Sequence, residues 1–78
     1  MAISAFILID VAGDHTKSAY KTIARISGVK AIYPVTGAHD IIVHVETDNI
    51  ETLSNIILDN IRSIDGVIKT ITNIVLNI

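Results

Sequence analysis

The chain has 78 residues, half of them hydrophobic, a net charge of −2 and no cysteine. A single domain of this size buries only roughly 60 to 65% of the surface its unfolded form exposes, so its own core is marginal, and without cysteine neither a disulfide framework nor a thiolate metal site can staple it. Six Lys and Arg scattered singly make no basic stripe for a phosphate backbone, which argues against direct nucleic-acid binding, and no apolar run reaches the roughly 20 residues of a membrane span.

The opening "MAISAFILID" has no basic region before its apolar stretch and no small-residue cleavage site, so the chain is expected to be soluble and cytoplasmic. "AISAFILID" is rich in β-branched residues, too short for a typical helix, and closed by "AGD"; it is predicted to be a strand that is apolar on both faces. From His15 to Ser27 the apolar residues Ala19, Tyr20, Ile23, Ala24 and Ile26 follow helical spacing, with Asp14 as the expected N-cap and Gly28 past the end. "VKAIYPVT" reads as a second strand, and Pro34 within it removes a ladder donor, which puts that strand at a sheet edge or a bulge.

Gly37 then turns the chain into "DIIVHVET", a third strand. "DNIE" at 48 to 51 has the pattern of a capping box, and Ile50, Leu53, Ile57, Ile61 and Ile64 continue at helical spacing toward Gly66. "VIKTITNIVLNI" closes the chain as a fourth strand. The two halves repeat at one offset: "ISAFILID" aligns with "IIVHVETD", and "SGV" with "DGV". This βαββαβ order predicts an α+β, ferredoxin-like sandwich, a four-stranded antiparallel sheet with both helices on one face and the first and third strands in the middle.

Alternation in the third strand puts Ile41, Val43 and Val45 on one side and Ile42, His44 and Glu46 on the other, and the repeat adds Ser4, Phe6 and Leu8 to that second side. With the helices over the first side, Phe6, Leu8, Ile42 and His44 face outward, less polar than a solvated sheet face should be. A second subunit covering them is the simplest remedy, in the manner of a dimeric α/β barrel, and it supplies the staple that size requires.

Candidates for chemistry are few. His39 and His44 are expected to point to opposite faces, and no histidine pair has ligand spacing, so no metal or other cofactor is expected. Asp10, Asp14, Asp48, Asp59 and Asp65 lie at element ends, where capping and turns account for them. There remains "TGAHD", Thr36 to Asp40. Structurally it is a hairpin connection with Gly37 at positive φ and Asp40 bonded to the turn's own backbone. Functionally, exposed amides beside one carboxylate can hold a zwitterion, the carboxylate pairing with an ammonium and the amides with a carboxylate.

The ordered set "SGV", "VTGAHD", "IIVHVETDN", "DGV" and "TITNIVL" resembles the effector-binding domain of the Lrp/AsnC transcriptional regulators, also called the RAM domain, over essentially the whole chain. That resemblance implies sheet-to-sheet dimers, assembly into octamers or decamers, and an amino acid or related small metabolite bound between dimers. It implies ligand contacts from the loop Thr36, Gly37, Ala38, His39 and Asp40, with Gly37 and Asp40 matching the family's Gly-x-x-Asp loop, and from Thr70 and Thr72 of a neighbouring dimer. His39 stands where the family often has tyrosine. The helix-turn-helix module that precedes this domain in the family is not in this sequence, so a stand-alone effector domain is expected, one that can mix with full-length family members. Two other readings of the same residues stay open: a small dimeric α/β-barrel enzyme of monooxygenase or isomerase type using His44, and a purely structural assembly domain.

Overall fold

The computed structural model describes residues 2–76, apart from the side chain of Ile56. Strand β1 runs Ile3–Val11, helix α1 Thr16–Ile23, β2 Val29–Pro34, β3 Ile41–Thr47 and β4 Val67–Ile74. The second helix, α2, covers 50–62. It is α-helical over Ile50–Thr52, π-helical over Leu53–Leu58 and α-helical again over Asp59–Arg62. All strand pairs are antiparallel in the order β2-β3-β1-β4, so β1 and β3 are central, as the repeat predicts, and Pro34 lies on an edge strand. The last two residues of the expected fourth strand lie outside the described residues.

Period-two alternation decides which side of the sheet is dry. Ala5, Ile7 and Ile9 of β1 and Ile41, Val43 and Val45 of β3 are fully buried against Ala19 and Ile23 of α1 and Leu53, Ile57, Leu58 and Ile61 of α2. Both helices therefore cover one face. The opposite face carries Phe6, Leu8, Ile42 and His44, with Phe6 40% exposed and Tyr33, cross-strand partner of Ile42, 55% exposed. Phe6 and His44 are themselves cross-strand partners, stacked with centroids 4.8 Å apart and ring planes 18° apart.

Several local expectations are corrected. Helix α1 is shorter than the apolar pattern: beyond Ile23 the bonds Arg25 N–H to Thr22 O and Ile26 N–H to Ile23 O are of the tighter three-residue kind, and they unwind the chain before Gly28. Asp14 does not cap it. It falls in a 3-10 turn, Gly13–His15, and neither that turn nor α1 has a side-chain cap; the approach is pinned instead by Ala12 N–H donating to Gly66 O at 2.7 Å. The cap of α2 is Asn49 rather than Asp48, its Oδ1 accepting from Thr52 N–H at 2.8 Å. Ile57 and Leu58, consecutive in the π-helical stretch, are both buried in the core.

Candidate functional site

Loop 35–40 is closed by Val35 N–H donating to Asp40 O at 2.9 Å, and Gly37 takes φ 109°, the positive value expected of it. Thr36, Gly37 and Ala38 at its tip are exposed, and a Cβ added at Gly37 meets nothing within 4 Å. At Gly37 the tip has no neighbour to hold it, so its posture depends on the base.

Two side chains hold that base, and both reach β1. β3 stops at Ile41, opposite Ile9, while β1 continues to Val11. Asp40 N–H donates to Ile9 O at 3.0 Å, and one residue pair further on, where the ladder has no strand left, Asp40 Oδ2 accepts from Val11 N–H at 2.8 Å. The carboxylate stands in for the missing rung. The expectation that Asp40 bonds the turn's own backbone is thus corrected: its partner is 29 residues away in sequence.

His39 makes the second anchor. Its Nδ1 donates to Asp10 Oδ1 at 2.8 Å. Asp10 follows Leu8 by two residues and shares its face, so His39 lies at the rim of the open face, on the same side as His44 and not opposite it. The strand alternation used to separate the two histidines fails because 35–40 is a loop. His44 for its part is hydrogen-bonded to Ser4 Oγ through Nε2 at 3.2 Å. Among the described residues no group of three His, Cys, Asp or Glu can hold a metal ion.

Beside the Asp40 carboxylate runs a shallow open groove lined by Thr16, Pro34, Val35, Thr36 and Asp40. Thr16 and Val35 were missed by the sequence reading, because Thr16 comes from the start of α1 and joins the loop only through the fold. Thr70 and Thr72 do not line this groove. Their register partners are Ile9 and Ile7, so they lie on the helix-facing side of β4, and β1 separates them from the loop of the same chain by two strand spacings, about 10 Å. Gly37, Ala38 and His39 do not line it either, so the groove offers one carboxylate and two hydroxyls beside a small apolar wall, a set that can take an ammonium. No helix among the described residues is long and apolar enough to cross a membrane.

Known proteins agree with this architecture. Residues 4–78 match the family model of the Lrp/AsnC ligand binding domain. The HTH-type transcriptional regulator FL11 of Pyrococcus furiosus is 42% identical over 77 residues, which take in 97% of this chain and 50% of that protein. A homocitrate synthase of Sulfurisphaera tokodaii is 37% identical over 62 residues, 80% of this chain but 13% of that enzyme. The crystal structure of TTHA0845 from Thermus thermophilus superposes with a TM-score of 0.91 at 30% identity, covering 97% of this chain and 95% of that one. The chain spans about half the length of the regulator it matches, and the half it spans is the ligand-binding one. With that family model matching residues 4–78, and the sheet and helices in the predicted order, the chain belongs to the Lrp/AsnC ligand-binding domain family.

Proposed function

We propose that this chain is a sensing and assembly module, which binds an amino acid or a related small metabolite and changes the assembly or activity of partner proteins in response. The observation that carries this reading is Asp40: one carboxylate oxygen is committed to Val11 N–H, and the group stands at the mouth of the groove formed with Thr16 and Thr36. The ligand's ammonium pairs with that carboxylate, and its carboxylate is held by hydroxyls and amides of Thr36, Gly37 and Ala38. Thr70 and Thr72 act, in this reading, only from a neighbouring dimer.

The open face bearing Phe6, Leu8, Ile42 and His44 joins two copies sheet to sheet, and dimers assemble further into octamers or decamers. Relatives named as HTH-type transcriptional regulators support full-length Lrp/AsnC proteins as partners of a mixed assembly. The stretch shared with a homocitrate synthase supports a module whose use extends beyond DNA-binding proteins. Binding is favoured over catalysis because His44 is engaged by Ser4 and by the Phe6 ring, and Glu46, beyond it on the same face, is exposed.

The test is a thermal-shift screen of the twenty standard amino acids, each in excess. A ligand at 100 times its Kd stabilises by roughly 2.7 kcal/mol, a shift that stands out for a domain of this size. The Asp40→Asn protein is expected to lose the shift, since a charge-assisted hydrogen bond worth about 1.5 to 3 kcal/mol goes with the charge. No shift with any amino acid at millimolar concentration, or an undiminished shift in Asp40→Asn, refutes the reading in favour of a structural assembly domain.

A further inference from the structure

Of the two anchors of the loop, only Asp40 is used by the ligand reading, and His39 turns away from the groove toward β1. Its Nδ1 is 2.8 Å from Asp10 Oδ1, with the two side chains 26% and 29% exposed. Asp10 and Val11 are consecutive, so His39 and Asp40, also consecutive, clamp neighbouring residues of one strand end from two directions. The exposed tip contributes no packing of its own at Gly37. Remove one anchor, and the loop keeps one side-chain tie to the end of β1 beside the backbone bonds of Val35 and Asp40.

We propose that His39 and Asp10 are a positioning pair that holds the Thr36–Asp40 loop so that the Asp40 carboxylate is presented at the groove, His39 acting through Asp10 and not by touching the ligand. This rests on the reading of that loop as the ligand site, and it gives two residues a part in that site which composition and spacing alone do not assign. The physical basis is preorganisation: a binding group held in place before the ligand arrives spends less of the interaction on ordering itself. The pair lies on the open-face side of β1, in the same row as Leu8 and Phe6, with Lys69 of β4 opposite Asp10 in register.

The experiment measures amide hydrogen exchange by NMR on the full chain and on three variants: Asp10→Ala, His39→Ala, and the exchange of the two groups, Asp10→His with His39→Asp. The readouts are the amides of Val11, which donates to Asp40 Oδ2, and of Asp40, which donates to Ile9 O, with the amide of Val43 in the buried centre of β3 as reference. Each single variant is expected to speed exchange at Val11 and Asp40 by about three- to five-fold while leaving Val43 close to wild type, and the exchanged pair is expected to restore most of the protection. Unchanged exchange at Val11 and Asp40 in both single variants overturns the proposal. So does an acceleration that reaches Val43 equally, which marks a general loss of stability, or an exchanged pair that behaves like the single variants. Because this readout needs no ligand, its failure is separate from a failure of the amino-acid screen. For any amino acid that the screen identifies, calorimetry on His39→Ala is expected to show affinity weakened by a similar factor and not abolished.

Discussion

Replacing Asp40 by asparagine and by alanine separates two roles that one carboxylate holds at once. Asparagine keeps an acceptor oxygen for Val11 N–H but removes the charge, whereas alanine removes both. Val11 is 7% exposed, so its amide at the end of β1 has little access to solvent once the rung is gone. Stranding such a donor costs about 1 to 3 kcal/mol, while converting a charged acceptor to a neutral one costs about 0.5 to 1 kcal/mol at this half-buried site. For a domain of this length each kcal/mol lowers Tm by about 4 to 8 °C, so the unliganded Asp40→Ala protein is expected to melt about 10 °C or more below wild type and Asp40→Asn about 2 to 8 °C below it. The assay is thermal unfolding followed by circular dichroism, at one fixed protomer concentration because association shifts Tm by mass action. If alanine and asparagine destabilise equally, the charge and not the rung is what matters. If alanine costs nothing, water satisfies Val11 N–H and the carboxylate does not hold the strand end.

A charge on the open sheet face tests assembly: Phe6→Asp is expected to convert a dimer or larger assembly to monomer at micromolar concentration, since an unpaired carboxylate closed into an interface is costly. Sedimentation velocity reads this, and a well-folded wild-type monomer, or an unaltered Phe6→Asp assembly, refutes it. The glycines make a graded pair. Gly37→Ala meets no atoms and costs only the backbone strain of positive φ, about 1 to 2 kcal/mol, while a Cβ at Gly66 runs into the Cβ and Cγ of His15, so Gly66→Ala is expected to cost about 3 kcal/mol or more. Urea unfolding of the two variants side by side checks the order, and equal midpoints count against it.

What the residues announce in advance is what local chemistry decides. Alternation in "IIVHVET" and "ISAFILI" separates the buried from the open face, Pro34 identifies an edge strand, and Gly37 identifies the turn, because each depends on neighbours within a few positions. Asp10 and Val11 stay hidden as parts of the site for the opposite reason. Whether β1 outruns β3 is a matter of register between strands more than 30 residues apart, and no local pattern encodes where β3 falls short. Asp10 at a strand end thus reads as a turn residue until the fold brings His39 to it. Thr16 is concealed in the same way. The caps fail on finer grounds: Asp48 and Asn49 are both good N-caps, and the choice of Asn49 follows the contact of Thr47 Oγ1 with Asn49 O at 2.9 Å, a detail of the strand's exit.

β1 precedes the other three strands in the chain and is the hub of the sheet, with β4 on one side and β3 on the other and rungs that join Ala5 to Ile74. Its neighbours emerge late. A nascent chain that has reached α2 carries an isoleucine-rich strand with one whole edge unpaired, and only the emergence of Val67–Ile74 closes it. Pairings of such sequence separation make folding slow for so short a chain, and an open apolar edge invites pairing with other chains in the meantime. One edge of β1 therefore stays open until β4 has been made, and chains stalled before β4 are the ones expected to be drawn into aggregates or held by chaperones.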